Sequence, residues 1–375
     1  MSKMRYKATT FKGLEEVLAK ELEDLGATGV KISSRAVFFK GDKEFLYKAN
    51  VYLRTALKVI MPLRKEQIIK SDDIYHVARK IKWEDWFSVD KNISVSTVGF
   101  SDFYNNLNYA SLKVKDAIAD RFMEKFKKRP NVKSKFADIN IHVHVKNKLV
   151  EISLDSSGES LHRRGYRRGG HKAPLNEVLA ASVVMLSDWD KKKPLYDIMC
   201  GSGTILIEAL MYALNIPPRI LRDKYAFMNW KDYSSDLYKK VIKQENGDIK
   251  KNKPLLYGND ISSKYIDIVN TQLKMLNLED SINLSVGDFR DTTKSIDDDG
   301  VIITNPPYGE RLEDNVDELY MDLGNHVKAN FKGHSMWIMS SNLSALKKTK
   351  MKPGKIYNLY NGGLDVRFQQ YEIRS

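Results

Sequence analysis

The chain has 375 residues, 42% of them hydrophobic, and this length suffices to bury two or three separate cores. It contains no run of about 18 apolar residues and no signal-peptide pattern, so we expect neither a membrane span nor secretion. The single cysteine, Cys200, excludes a disulfide framework and favours the reducing cytoplasm. His142 and His144 alternate along a strand without a third ligand or a cysteine pair, so we expect no metal site.

The net charge of +14 is concentrated in the first part of the chain. Residues 1–170 contain 34 basic and 21 acidic residues, whereas the remainder contains 28 and 27. A basic module beside a nearly neutral one is typical of proteins that bind nucleic acid, because the phosphate backbone is a polyanion. We therefore expect nucleic acid as the partner.

Residues 1–156 alternate strand and helix patterns and contain no glycine-rich nucleotide loop. Apolar spacing predicts strands from Arg5, over 36–40, over 58–63, and from Ile93, Ile139 and Leu149. It predicts helices over 14–25, 44–57 and 74–81, and one that begins near Ala110. These elements indicate an α+β organisation, which we divide into a first piece at 1–43 and a second at 44–156.

Two basic clusters follow within and after this part. The first closes the helix near Ala110 and consists of Lys125, Lys127, Lys128 and Arg129. The second lies in a linker at 157–174 and consists of Arg163, Arg164, Tyr166, Arg167 and Arg168. Basic groups and an aromatic ring suit phosphate contacts and base stacking, so both clusters are candidate nucleic-acid contacts. The alternative for the first cluster is a solvated helix C-terminus, where the helix dipole favours cations. The alternative for the second cluster is a flexible basic linker.

A strand at 195–197 leads directly into a glycine loop. Asp197 ends the strand, and Gly201 and Gly203 precede a helical pattern. The glycines allow a tight turn and a close approach of a ligand to the backbone, while Asp197 can receive a cationic or hydroxyl group. The loop lacks the third glycine of the dinucleotide fingerprint and the Gly-Lys-Ser/Thr of a P-loop. Neither hydride transfer nor phosphoryl transfer is therefore favoured.

Three further strands end in Asp260, Asp288 and Asn305, with helical or loop sequence between them. This alternation predicts a doubly wound parallel sheet that binds its ligand at the carboxyl ends of the strands. Asp260 is placed to bind a ribose diol and Asp288 an adenine amino group, although each alone would more often cap a helix or occupy a loop. The long step to Asp260 indicates an insertion at 215–252, and a hairpin pattern at 356–373 ends the sheet.

The strand before Asn305 stops at Asn305-Pro306-Pro307-Tyr308. The Asn305 side-chain oxygen and the Pro306 carbonyl can both accept hydrogen bonds from an exocyclic amino group. The two prolines stiffen the turn and remove backbone donors, and Tyr308 offers a face on which a base can stack. The pattern favours a site that holds the amino group of a flat ring, although two prolines can also simply end a strand.

The order of these features resembles the Rossmann-like, S-adenosylmethionine-dependent class I methyltransferases. Residues 197–204, Asp260, Asp288 and 305–308 look like motifs I to IV of that family, and Asn-Pro-Pro-Tyr is similar to the motif of its amino-methylating branch. The resemblance implies that S-adenosylmethionine is bound by Asp197, Cys200, Gly201, Ser202, Gly203, Thr204, Asp260, Asp288 and Asn305. It implies a catalytic motif of Asn305, Pro306, Pro307 and Tyr308. The family usually has Asp-Pro before the loop, whereas Ile198 follows Asp197 here; because the loop backbone makes the contacts, we expect cofactor binding all the same.

Residues 175–375 thus resemble a class I methyltransferase domain, 1–43 a ferredoxin-like piece, and 44–156 a THUMP RNA-binding domain. The chain is similar to the bacterial large-subunit ribosomal RNA guanine-N2 methyltransferases in a short form with one methyltransferase module. The resemblance implies methyl transfer to the N2 of a guanine in 23S ribosomal RNA. Guanine-N2 methylation of transfer RNA, adenine-N6 methylation of DNA, and a non-catalytic role in RNA binding or ribosome assembly are the alternatives.

Overall fold

A computed structural model describes residues 3–134, 136–167, 175–249, 252–295, 299–307 and 315–374. Its strands are β1 (Met4–Thr9), β2 (Thr28–Ser33), β3 (Ala36–Gly41), β4 (Lys58–Gln67), β5 (Ile93–Phe100), β6 (Ile139–Lys146), β7 (Leu149–Asp155), β8 (Leu195–Asp197), β9 (Leu256–Asp260), β10 (Asn283–Val286), β11 (Val301–Thr304), β12 (Ser335–Ser340), β13 (Pro353–Asn361) and β14 (Leu364–Glu372). Its α-helices are α1 (Glu15–Asp24), α2 (Lys43–Tyr52), α3 (Asp73–Arg79), α4 (Leu107–Phe126), α5 (Glu177–Leu186), α6 (Thr204–Ala213), α7 (Ser235–Asp248), α8 (Ser263–Met275), α9 (Val316–Asn330) and α10 (Leu343–Lys348). None of these helices is long and apolar enough to cross a membrane.

The chain divides into two units. The N-terminal unit comprises Met1–Thr9, Ala19–Leu161 and Asp223–Lys243, and the C-terminal unit comprises Thr10–Leu18, His162–Arg222 and Gln244–Ser375. Each unit contains a seven-stranded sheet. Part of the segment interpreted as an insertion, 223–243, therefore belongs to the N-terminal unit, which the sequence did not predict.

The N-terminal unit is built on a sheet of order β2-β3-β1-β4-β7-β6-β5. Strand β4 pairs antiparallel with β1 on one side and with β7 on the other, so the strands form one continuous sheet. The alternating pattern of β6 gives the strand one buried face and one exposed face: Ile141, Val143 and Val145 are buried, whereas His144 and Lys146 are exposed. Strand β2 was not predicted, because the alternation of Val30 and Ile32 with Lys31 and Ser33 covers only four residues, next to a glycine.

Helices cover one face of this sheet. The ring of Phe39 in β3 lies 5.5 Å from that of Phe45 in α2, and the hydroxyls of Thr97 in β5 and Ser111 in α4 are 2.7 Å apart. The pairings across β1, β4, β7 and β6 place Phe39 and Thr97 on the same face. The segment 223–243 also packs within this unit, since the Phe227 ring stacks on Tyr47 at 4.4 Å.

The C-terminal unit has the sheet order β10-β9-β8-β11-β12-β14-β13. Strands β8 to β12 pair in parallel, and β14 joins antiparallel to both β12 and β13. This is the doubly wound sheet with a terminal hairpin that the sequence predicted. Its interior is apolar: Ile302 and Met336 from the central strands are fully buried, and the Trp337 ring stacks on Phe368 at 4.7 Å. The parallel strands all end at one edge, which positions the functional site.

Candidate functional site

A cavity of about 810 Å³ opens at the carboxyl ends of the parallel strands of the C-terminal unit. This volume is within the usual range for cofactor and small-molecule sites. The predicted site residues that line the cavity are Asp197, Cys200, Gly201, Ser202, Thr204, Asp260, Asp288, Asn305, Pro306 and Pro307. Four chain segments that are distant in sequence therefore meet at one cavity, in the order expected from the strand pattern.

The loop after β8 brings its backbone to the cavity at Gly201. Gly201 has a φ of +52°, and no atom lies within 4 Å of the position that a Cβ would occupy. A ligand can therefore approach the backbone there without meeting a side chain. Gly203 has a different task and does not line the cavity: a Cβ at Gly203 would lie 2.7 Å from Val269 Cγ2, so the glycine lets the loop pack against α8.

Asp260 ties the loop to the end of β9. The Gly201 N–H donates to Asp260 Oδ2 at 2.8 Å, and the Ser262 N–H donates to Oδ1 at 2.9 Å. Each carboxylate oxygen keeps a further lone pair, so Asp260 remains able to accept from ligand hydroxyls in the cavity. The two backbone bonds fix its orientation.

Asp197 is the most deeply buried acid of the cavity, with 1% of its surface exposed. Burial raises the pKa of Asp197 to about 7, and the negative charge of Asp260 adds to the rise. Its carboxyl group is bound only weakly by backbone, since the Met199 N–H lies 3.4 Å from Oδ1. A cationic ligand group beside this carboxyl would favour its ionised form.

Asp288 lies on the opposite side of β9 at the end of β10. Its Oδ1 caps the short 3₁₀ turn Phe289–Asp291 by accepting the Arg290 N–H at 2.9 Å, and its Oδ2 is 3.0 Å from the Arg290 guanidinium. The same guanidinium also reaches Asp322 at 2.9 Å. Asp288 therefore caps the 3₁₀ turn, as the alternative interpretation of the sequence expected, and it also lines the cavity.

Apolar side chains that the sequence did not single out complete the wall between these acids. Ile261 follows Asp260 directly and is 73% exposed, and Tyr265 and Phe289 also line the cavity. An apolar side chain so exposed beside polar groups is typical of a surface that a flat ring covers. The sequence signal that could have identified Ile261 as a site residue is its position directly after Asp260, the acid that ends β9.

The hairpin at the end of the sheet also contributes. Asn361, Gly362 and Leu364, at the turn between β13 and β14, line the same cavity. The sequence predicted this turn as an element of the fold but gave it no role in the site. Its contribution could not be read from the chain, because it depends on the order in which β12, β14 and β13 join the sheet.

Asn305 follows β11 and carries a buried hydrogen-bond acceptor at the cavity. Its Oδ1 is buried and makes no hydrogen bond among the described residues. Leaving such an acceptor unpaired is costly, so an amino group entering the cavity would find it available. Pro306 and Pro307 line the cavity beside it. Tyr308 lies outside the described residues.

The remaining loop residues have mainly structural contacts. Cys200 is buried, its Sγ lies 3.7 Å from the Gly201 carbonyl oxygen, and burial raises the pKa of its thiol, so it is a packing residue and not a nucleophile. The Ser202 carbonyl accepts from Gln272 at 3.0 Å. The Thr204 hydroxyl accepts from the Arg167 guanidinium at 2.9 Å.

Three of the residues expected to bind nucleic acid instead make hydrogen bonds within the C-terminal unit. Arg164 and Tyr166 are 1% and 0% exposed, and both bind the carboxylate of Glu208 in α6 at 3.1 Å. Arg167 is partly buried and donates to the Leu175 carbonyl at 2.9 Å as well as to Thr204. Since a buried Glu208 needs a cationic partner, Arg164 is held inside, and phosphate contacts are not available to Arg164 or Tyr166.

The other predicted basic residues have exposed side chains: Lys125, Lys127, Lys128, Arg129 and Arg163. Lys125 also pairs with Glu84 at 2.9 Å. Arg168 lies outside the described residues. Within the described ranges, no group of His, Cys, Asp or Glu side chains could hold a metal ion.

Family comparisons agree with the organisation seen in the structure. A methyltransferase domain described as RMKL-like matches residues 164–370, a ferredoxin-like domain described as that of RlmL matches 5–60, and a THUMP domain matches 70–155. The Synechocystis sp. (strain ATCC 27184 / PCC 6803 / Kazusa) protein slr0064 is 32% identical over 98% of this chain and 96% of its own. The ribosomal RNA large subunit methyltransferase K/L of Aliivibrio fischeri (strain MJ11) is 36% identical over 98% of this chain, which spans 53% of that protein.

A solved structure extends the comparison to the bound state. SMU.472, whose crystal structure contains SAH, matches with a TM-score of 0.89 and 28% identity, covering 100% of this chain and 99% of that one. SAH is what S-adenosylmethionine becomes after losing its methyl group, so the methyl donor expected from the sequence is confirmed, as are the class I fold and the ferredoxin-like and THUMP domains. The chain belongs to the RMKL-like methyltransferase family and uses S-adenosylmethionine as its methyl donor.

Proposed function

We propose that this protein transfers a methyl group from S-adenosylmethionine to the exocyclic N2 of a guanine in 23S ribosomal RNA. The observation that carries the proposal is the buried Asn305 Oδ1, which has no hydrogen-bond partner in the part of the chain that the structure describes, beside Pro306 in the cavity. Two neighbouring acceptors, Asn305 Oδ1 and the Pro306 carbonyl, suit an NH₂ group, which donates two hydrogen bonds, better than a hydroxyl, which donates one. The THUMP match and the K/L relative support an RNA substrate.

The cavity fits the methyl donor in its polar and apolar parts. In our proposal the Gly201 backbone and Asp197 hold the amino-acid portion, with Cys200, Ser202, Gly203 and Thr204 shaping the loop. Asp260 accepts from the ribose hydroxyls, and Asp288 accepts from the adenine amino group. Ile261 and Tyr265 supply apolar surface for the adenine ring.

The residues after β11 act on the substrate. The lone pair of a guanine amino group is delocalised into the ring, so the group is a poor nucleophile in water. Hydrogen bonds to Asn305 Oδ1 and the Pro306 carbonyl would hold its lone pair toward the donor and stabilise the positive charge that develops on nitrogen. When bound, S-adenosylmethionine supplies an electrophilic methyl group and leaves as SAH, and the extra proton on the methylated nitrogen passes to water, so positioning replaces a strong general base. Tyr308 is our proposed stacking surface for the unpaired or flipped base.

The N-terminal part of the chain is proposed to bind the RNA. We keep the division into 1–43, 44–156, a linker at 157–174 and 175–375 as a proposal, with the exposed cluster of Lys125, Lys127, Lys128 and Arg129 as one contact. Arg163 and Arg168 remain candidates for a second contact. A substrate of this kind implies a cytoplasmic enzyme.

The test is methyl transfer from labelled S-adenosylmethionine to total RNA from a strain that lacks this gene. Ribosomal and transfer RNA are separated, and the product is identified by mass spectrometry of nucleosides. N2-methylguanosine in large-subunit RNA is expected. N2-methylguanosine in transfer RNA would support the reaction but identify transfer RNA as the substrate. N6-methyladenosine in DNA would contradict both the proposed base and the proposed polymer. Binding of the donor without any methyl transfer would favour a non-catalytic role in ribosome assembly.

A further inference from the structure

The sheet of the N-terminal unit has a second face, opposite the helices α2 and α4. Arg5 and Lys7 both lie over the Phe38 ring, at 4.6 and 5.6 Å from its centroid, so these three side chains share a face that alternates with Phe39. Lys7 also forms an ion pair with Glu151 of β7. This ion pair links β1 to β7 across β4, and because Lys7 and Glu151 are only 8% and 7% exposed, the accessible cations of this face are the ones on either side of the pair.

Pairings extend this face to both ends of the sheet. Lys31 in β2 is opposite Phe38, Lys40 in β3 is opposite Arg5, and Lys65 in β4 is opposite Glu151. His144 in β6 is also opposite Glu151, which places Lys146, two residues later, on the same side. We call this surface the open face; its exposed cations are Arg5, Lys31, Lys40, Lys65 and Lys146.

The open face carries more positive charge than its own acids neutralise. Its acidic side chains Glu151 and Asp155 are each paired with a lysine, Lys7 and Lys58 respectively. Among the described residues, by contrast, none of the five exposed cations pairs with a carboxylate. Like charges spread over one exposed surface repel each other, so an extended polyanion that binds them all relieves that repulsion.

Aromatic groups accompany these charges. The Arg5 guanidinium lies over the Phe38 ring, with its central carbon 4.6 Å from the ring centroid. At the far end, Phe100 of β5 lies opposite Lys146 and is 59% exposed. Cationic side chains for phosphates and an exposed aromatic ring for a base are the chemistry of RNA recognition on a sheet.

We propose that the open face binds the sugar–phosphate backbone of the RNA substrate. This inference rests on the proposed function, because it takes RNA as the substrate. With roughly 4.8 Å between neighbouring strands, seven strands span about 29 Å, which is enough to contact several phosphates rather than one nucleotide. The contacts are independent of sequence, so they supply affinity and register while the base is chosen in the cavity.

The test compares two full-length variants with the same change in charge. One carries Lys31→Glu, Lys40→Glu and Lys146→Glu on the open face. The matched control carries Lys70→Glu, Lys82→Glu and Lys115→Glu, which lie in loops and in α4 of the same unit. Binding of deproteinised large-subunit RNA is measured from 50 to 300 mM salt, together with binding of S-adenosylmethionine.

The open-face variant is expected to bind RNA at least 10-fold more weakly at low salt, and the slope of log Kd against log salt should fall by about 2, since each lost phosphate contact removes about 0.7–0.9. The control should keep the wild-type slope, and both should bind the methyl donor normally. Equal slopes for the two variants would overturn the open-face proposal while leaving the methylation proposal intact. Absence of RNA binding by the wild-type protein would overturn both.

Discussion

Arg164 and Glu208 form an ion pair inside the C-terminal unit, with Arg164 Nε 3.1 Å from Glu208 Oε1 and both side chains inaccessible to solvent. The Tyr166 hydroxyl donates to the same carboxylate oxygen at 3.1 Å. Burial raises the pKa of Tyr166 well above its ordinary value, so the hydroxyl stays protonated and remains a donor. The network connects the segment before α5 to α6, the helix that follows the glycine loop.

Arg164→Ala should destabilise the protein by about 3–5 kcal/mol, because Glu208 would remain buried without a cation. Its neighbour Arg163 is exposed, and Arg163→Ala should cost less than about 1 kcal/mol. Urea unfolding of both variants measures the difference. Equal midpoints for the two variants would contradict the structural role assigned to Arg164.

Asn305→Ala should lower turnover by roughly 100-fold or more while changing the affinity for S-adenosylmethionine little, because the lost acceptor acts on the transferring group. Asn283→Ala is the control, since Asn283 is an exposed residue of β10 that does not line the cavity. Single-turnover methylation and donor binding are measured side by side. A variant at position 305 with wild-type turnover would remove Asn305 from the catalytic motif.

Gly201→Ala should weaken donor binding by at least about 10-fold, because the new methyl group would occupy the open space at the cavity. Gly26→Ala is a matched control: Gly26 also has positive φ, at +100°, and a Cβ there would also have no atom within 4 Å, but it lies in the loop after α1. Both variants should lose about 1 kcal/mol of stability from backbone strain. Titration calorimetry with the donor distinguishes them, and equal affinities would exclude a close backbone approach at Gly201.

The raised pKa of Asp197 predicts that the free energy of unfolding depends on pH. Its pKa of about 7 in the folded protein lies above the ordinary value of 3.8, so the folded state retains a proton that the unfolded state loses. The stabilisation from this group is full below about pH 4 and is lost as pH rises to about 7, at up to about 1.4 kcal/mol per pH unit. Unfolding of Asp197→Asn should lack this contribution, and parallel curves for the two proteins would contradict the raised pKa.

Binding of the methyl donor should change with pH in the opposite direction. If Asp197 receives the cationic amino group, the donor binds the ionised carboxyl better, so affinity rises as pH increases through about 7. The Asp197→Asn variant should bind more weakly and with a flatter profile. Donor titrations at pH 6 and pH 8 measure the difference, and an equal pH dependence in both proteins would assign the effect to another group.

The cavity was predictable because the sequence rules act locally along each strand. Asp197 and Asp260 end β8 and β9, Asn305 directly follows β11, and parallel strands bring their carboxyl ends to one edge. Spacing alone sufficed to place them together. The contribution of Asn361 was not predictable, since it follows from the antiparallel return of β14 beside β12.

The residues whose location was wrongly predicted are held in place by long-range contacts. The run that contains Arg164 and Tyr166 has the composition of a surface linker, but both side chains bind Glu208, which lies 44 residues after Arg164, in the interior. Likewise, α7 in the predicted insertion belongs largely to the unit that precedes it in sequence. Burial of a charged side chain depends on long-range contacts that neither composition nor periodicity records.

Strand β4 determines how the N-terminal unit can be divided in the laboratory. The ferredoxin-like match ends at residue 60 and the THUMP match begins at 70, so a fragment cut to either range would lose most of the strand that joins them. Expressed from residue 70, the THUMP part would present the unpaired backbone of β7 to solvent, and such an edge promotes self-association. Fragments that retain Lys58–Gln67 keep that edge protected, and they are the ones suited to study alone.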